Sequence, residues 1–146
     1  MLCILLEEYL SRVIHTDTAS KERTRLLRSV VLALRELMHQ LEPDPSTRDL
    51  AAYLALALIE IDKTVEASVT PWEKRDYWVK ADKFRMEWGW ARRSSAALKQ
   101  ALLVEDWGTV AQTAAQVAMK VNSVKVPQRH NLGTPWIGAY EKLRSS

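Results

Sequence analysis

Glu36 and His39 stand three residues apart, a spacing that puts a carboxylate and an imidazole on one face of a helix. Helical di-iron centres use that pair twice, on two helices, with further glutamates beside it. Only one such pair exists here, because the other histidines are His15 and His130. Zinc chemistry fares no better: one cysteine, Cys3, and three scattered histidines give no spaced ligand set. Glu60, Asp62 and Glu66 are the nearest approach to a magnesium-binding carboxylate cluster, and only Asp62 and Glu66 share the i, i+4 spacing. Arg129, His130 and Asn131 form a polar cluster in a stretch of loop-like composition. No glycine-rich phosphate loop and no Gly-x-Ser-x-Gly elbow is present. The residues therefore specify no catalytic or cofactor site, and a metal-dependent enzyme is the least supported reading.

A second chemistry is suggested by Lys74, Trp78, Arg85 and Arg92, which fall on one flank of a helix at about 100° per residue. Basic groups beside an exposed indole can hold phosphates while the ring stacks on a base. Segment 71–93 carries seven basic and four acidic residues, so this stretch is locally basic in a chain of net charge +3.

A third pattern is apolar. Trp72, Val79 and Met86 recur every seven residues, and Trp90 lies four beyond Met86. They stand opposite a heptad-like seam of Tyr77, Ala81, Phe84, Trp88, Ala91, Ser95, Leu98 and Leu102. A helix exposed on one side needs one apolar face, not two. The second must be covered by the C-terminal segment with Trp136 and Tyr140, by the first helix, or by a second copy of the protein. Trp, Tyr, Met and Arg are enriched at protein interfaces, which suits the last option.

These groups need helices to position them, and the composition provides for helices. The chain has 146 residues with four Gly and five Pro, and is rich in Leu and Ala. The expected architecture is an all-α, antiparallel up-down bundle of four to five main helices with a short C-terminal helix. Residues 1–122 would form the bundle, and residues 123–146 a loop and short helix packed on the bundle or on a partner, within one domain overall.

Residues 2–14 read as a first helix, with Leu2, Leu5, Leu6, Tyr9, Leu10 and Val13 on one side and a turn at His15-Thr16-Asp17-Thr18. A second helix over about 20–41 has Leu27, Val30, Val31, Leu34, Leu37, Met38 and Leu41 as its core stripe. Lys21, Arg25, Arg28, Arg35 and His39 make its basic face. Pro43 and Pro45 break it. A third helix follows over about 47–68, opened by a capping box of Ser46 with Asp49 and apolar nearly all round from Leu50 to Ile59. Thr70-Pro71-Trp72-Glu73 then reads as a helix start, with hydroxyl at N-cap, proline at N1 and glutamate at N3. The helix it opens would run to about Val104, with a bend expected at Gly89. Asp106 caps a fifth helix striped by Trp107, Val110, Ala111, Ala114, Val117, Ala118 and Val121. Thr134-Pro135-Trp136 opens the last, short helix.

The start of the chain lacks the basic flank and long apolar core of a signal peptide, and no apolar run is long enough to cross a bilayer. The expected protein is soluble and cytoplasmic, with no cofactor, and it self-associates as a homodimer. The pattern also admits a protein partner, a nucleic-acid partner is the alternative, and no membrane is expected.

Overall fold

The computed structural model describes the backbone of residues 2–146 and the side chains of residues 18–146. Among these the chain is all-helical, with no strand: α1 (Leu2–Leu37), α2 (Pro45–Lys74), α3 (Trp78–Leu103), α4 (Trp107–Lys120) and α5 (Ala139–Arg144). The stripe expected from Leu2 to Val13 and the thiol of Cys3 lie outside the described side chains.

The central element is α2. Leu50, Ala51, Ala52, Leu54, Ala55, Ala57, Leu58 and Ile61 are all buried. An apolar surface on most sides needs neighbours on most sides, and α1, α3 and α5 all pack against this helix. From α1 come Leu26, Val30, Ala33 and Leu34, and from α3 come Ala81, Ala91, Leu98 and Leu102. Two buried polar links lock the helices in register. The Tyr53 hydroxyl donates to Ser29 Oγ at 2.7 Å, which in turn donates to the Leu26 carbonyl at 2.7 Å. Ser95 Oγ donates to the Ala55 carbonyl across the α2–α3 contact at 2.7 Å.

Several helix ends differ from those the sequence predicts. The expected turn at His15–Thr18 is absent, and α1 runs through it unbroken. His, Thr and Asp cost a helix only tenths of a kcal/mol each, and without Gly or Pro they do not end one. That helix stops at Leu37, so Met38 and Leu41, expected in the core stripe, are exposed. The chain then turns toward Pro43 and Pro45, and residues before proline avoid the helical region. At the start of α2 the cap is Asp44, not Ser46: Asp44 Oδ1 accepts from the Thr47 amide at 2.9 Å, with Pro45 at the first position.

The largest departure is at Pro71. Instead of opening a helix, Pro71 lies inside α2. Thr70 does not cap; its hydroxyl donates back to the Glu66 carbonyl at 2.8 Å. Burial of Val65 and Val69 on the inner face carries the helix across the proline. On another face Glu66 and Glu73, seven residues apart and on opposite sides of Pro71, both accept from the guanidinium of Arg85.

The helix ends instead at Lys74, with Arg75 as its C-cap, and the connection to α3 is a Schellman turn. The Tyr77 amide donates to the Trp72 carbonyl (2.9 Å) and the Asp76 amide to the Glu73 carbonyl (3.0 Å), with Asp76 left-handed at φ 62°. The α3–α4 connection repeats it: the Asp106 amide donates to the Ala101 carbonyl, the Glu105 amide to that of Leu102, and Glu105 has φ 57°. Glycine usually takes that position. Neither turn has one, so neither announces itself in the sequence.

At the C-terminus, Thr134-Pro135-Trp136 forms a turn, and α5 begins only after Gly138 (φ 80°). Its cap is borrowed from α2. Asp49 accepts from the amides of Gly138 (3.1 Å) and Tyr140 (2.9 Å), so the residue expected in a capping box on its own helix caps another. Ala139 and Leu143 are buried, and Trp136 and Tyr140 pack against the core in cis. The loop before α5 is tied down by Arg35, which donates to the Val126 carbonyl at 2.7 Å.

Candidate functional site

The groups singled out on the long Trp-rich stretch are divided by the turn at residues 75–77. Trp72 belongs to α2 and Val79, Met86 and Trp90 to α3. Trp72 meets α3 through the edge of Phe84, with ring centroids 5.2 Å apart at 84°. The aromatic row continues to Trp88 (6.2 Å) and from Trp88 to Trp90 (5.9 Å, stacked). Arg23 of α1 closes over this row. Its guanidinium carbon lies 5.0 Å from the Phe84 ring and 5.4 Å from Trp88. Nη1 also donates to Thr64 O and Oγ1 and to Ser68 Oγ, at 3.1–3.3 Å. Burial pulls this guanidinium below the usual arginine pKa, opposed by the charge of Glu87. Arg23 thus serves as a cationic rivet between α1 and the α2–α3 pair.

The opposite face of α3 is covered over part of its length. α4 has 14 residues and α3 has 26, roughly 21 and 39 Å of helix. Starting from the C-terminal end of α3, α4 reaches Trp90, which is 9% exposed. It does not reach Met86 or Val79, which stay 73% and 70% exposed. Val79 and Trp72 border a shallow depression of about 440 Å³ with Lys80, Lys83, Phe84 and Glu87. The Lys80 ammonium sits 4.4 Å from the centre of the Trp72 ring. Of the six interface candidates, then, Trp90, Trp136 and Tyr140 pack inward, Trp72 is half-buried, and Val79 and Met86 face solvent.

The four basic and aromatic candidates are also separated. Lys74 and Trp78 are exposed on either side of the turn. Arg85 is taken up by Glu66 (3.1 Å) and Glu73, with Asp82 at 3.8 Å. These hydrogen bonds raise its pKa above the ordinary arginine value and lower that of Glu66. Arg92 pairs with Asp62 at 3.0 Å. Both arginines look like a basic flank in the one-dimensional pattern and are matched by carboxylates of α2 in space.

Among the described residues no three His, Cys, Asp or Glu side chains come together as a metal-binding group. Glu36 and His39 are separated by the end of α1, since His39 lies in the turn beyond Leu37. No helix among the described residues is long and apolar enough to cross a membrane. A surface missed by sequence reasoning lies at the other end of α3. Leu103 and Val104 at the α3–α4 turn are exposed, as are Met38 and Leu41 of the α1–α2 connection. The Arg48–Glu105 ion pair (2.6 Å) fastens the start of α2 to that turn. Its only signal in the sequence would have been the two helix ends, which carry no glycine.

No family model, no curated protein and no solved structure matches this chain.

Proposed function

We propose that the protein is a small helical interaction protein, cytoplasmic in setting, that self-associates through the N-terminal half of α3. The observation that carries this reading is the exposure of Val79 and Met86, two turns apart on one face, where α4 stops short. A two-fold axis between them would bring the same patch of a second copy against this one, as isologous dimers require. Trp78 at 53% exposure and Tyr77 lie beside the patch and are residue types favoured at interfaces. An up-down bundle order belongs to the same proposal. It is supported by the pairings between α2 and α3, in which the α2 partner rises from Ala55 through Asp62 to Glu66 as the α3 partner falls from Ser95 through Arg92 to Arg85.

The nucleic-acid alternative keeps Lys74 and Trp78 but has Arg85 and Arg92 engaged by carboxylates, which would have to be released before they could hold phosphates. The metal-dependent enzyme has no assembled ligand group among the described residues to support it.

Met86→Asp tests the dimer. Met86 touches solvent, so the variant is expected to keep its helicity. Losing the burial of one methionine removes about 1.5–3 kcal/mol, twice in a symmetric interface, for a rise in dimer Kd of about 10²- to 10⁴-fold. Light scattering over a concentration series should report a dimer for the parent chain and a monomer for the variant. A folded variant of unchanged mass, or a parent chain that is monomeric throughout, overturns the reading.

A further inference from the structure

A second concavity, of about 510 Å³, lies between α3 and α4, in the size range of small-molecule sites. Trp90 forms part of its lining, and Ala97, with no side chain beyond Cβ, leaves room beside the indole. Met119 of α4, exposed and flexible, forms an apolar wall. Gln116 adds an amide. Two cations, Arg93 and Lys120, stand at the groove, and no carboxylate lines it.

The lining sets this groove apart from the depression beside Val79, where the carboxylate of Glu87 stands with Lys80 and Lys83. Arg85 and Arg92 are neutralised by α2. Arg93, the next residue, forms no ion pair among the described residues, and neither does Lys120. An additional feature concerns Gly89, one turn before Arg93. A Cβ there would stand 3.0 Å from Arg93 Nη1, so the guanidinium lies in the notch left by the missing side chain. A glycine inside a helix costs about 1 kcal/mol relative to alanine, and no positive φ accounts for this one. Here it lets an unpaired arginine fold back along its own helix beside Trp90.

We propose that the α3–α4 groove binds a small organic anion with a flat apolar body, such as an aryl carboxylate or sulfonate. The ring lies against Ala97 and Met119 and meets the small part of Trp90 that stays exposed at the groove floor, and the anionic group is held between Arg93 and Lys120. Charge complementarity selects the ligand class: two unmatched cations around an apolar slot repel cations and leave a neutral ligand without its best contacts.

The probe is 8-anilinonaphthalene-1-sulfonate, titrated against the folded chain and followed by its own fluorescence and by quenching of tryptophan. Its neutral counterpart, N-phenyl-1-naphthylamine, carries the same rings without the charge. The Arg93→Gln/Lys120→Gln double variant changes two exposed side chains and is checked for unchanged helicity. It should raise the Kd of the sulfonate at least tenfold and leave that of the neutral probe within twofold. Gly89→Ala, which displaces the guanidinium, should weaken the sulfonate several-fold while preserving the fold. The titration is repeated in Met86→Asp, where binding should persist, so that loss of the groove and loss of the dimer are read separately. Equal affinity for both probes, a double variant that binds the sulfonate as the parent does, or binding abolished by Met86→Asp overturns the proposal.

Discussion

Replacing Pro71 with alanine has opposite consequences in the two readings of the segment 70–73. If Pro71 stood at the first position of a helix, its ring would be pre-organised and its missing N–H harmless. Alanine would then destabilise the protein by up to about 1 kcal/mol. In the structure Pro71 lies inside α2, where the Ala67 carbonyl four residues earlier loses its helical partner. A proline inside a helix is about 3 kcal/mol worse than alanine. Alanine also gives freedom back to the unfolded chain, which offsets about 0.4–1 kcal/mol. The net expectation is a stabilisation of about 2 kcal/mol. For a chain of this length that is a rise in Tm of about 4–8 °C, or a shift of about 1 M in the urea midpoint at a slope near 2 kcal/mol/M. The assay is urea unfolding followed by circular dichroism, with the slope unchanged between parent and variant. Arg85 supplies an internal check, because it bridges Glu66 and Glu73 across the proline. Arg85→Gln should destabilise the parent more than it destabilises Pro71→Ala, a coupling that a double-mutant cycle measures. A Pro71→Ala variant that is less stable than the parent would refute the continuous helix.

Three further outcomes follow from other elements. Asp76→Gly should stabilise the protein by about 0.5–1 kcal/mol, since glycine adopts φ 62° freely; were Asp76 inside a helix, the same change would cost about 0.3 kcal/mol, so thermal unfolding decides by sign. Ser95→Ala removes the buried hydroxyl that donates to the Ala55 carbonyl and should lower the urea-derived stability by about 1 kcal/mol, with helix content unchanged. Hydrogen bonds from Arg85, Arg25, Thr47 and Thr109 hold the carboxyls of Glu66, Glu22, Asp44 and Asp106, respectively, below their ordinary range. A carboxyl depressed in the folded state contributes stability that is present above its unfolded pKa and is lost as pH falls through the folded one. The urea midpoint should therefore be level from about pH 7 to about 5 and drop below about pH 4, less steeply in Glu66→Gln; a midpoint unchanged down to about pH 3 would contradict these assignments.

Legibility in the sequence followed the range of the forces involved. Patterns set by burial along one helix were visible in part: Val30 and Leu34 of α1, the nearly all-round apolar run of α2, Ala81, Ala91, Ser95, Leu98 and Leu102 of α3, and Val110, Ala114, Val117 and Val121 of α4, whereas Tyr77 and Ala111, expected in the last two stripes, are exposed. The cap at Asp106 was visible as well, because its partner, Thr109, is three residues away. Local signals misled where a distant group outcompeted them. Thr70-Pro71 has the composition of a helix start, but burial of Val69 and the reach of Arg85 from another helix keep α2 going. Asp49 has the spacing of a capping box, yet it caps α5, far along the chain.

The same division runs through the candidate sites. Residue types and periodicity alone specify an all-α chain with two apolar faces on its tryptophan-rich stretch and a basic flank beside them. Which of those features remain free depends on how the helices pack. Arg85 and Arg92 are matched by Glu66, Glu73 and Asp62, while Arg93 and Lys120 have no carboxylate partner among the described residues, because charges pair through space and a single helix wheel cannot see the neighbouring helix. Trp90 is covered and Met86 is exposed for a similar reason: α4 is about half the length of α3 and covers it from one end.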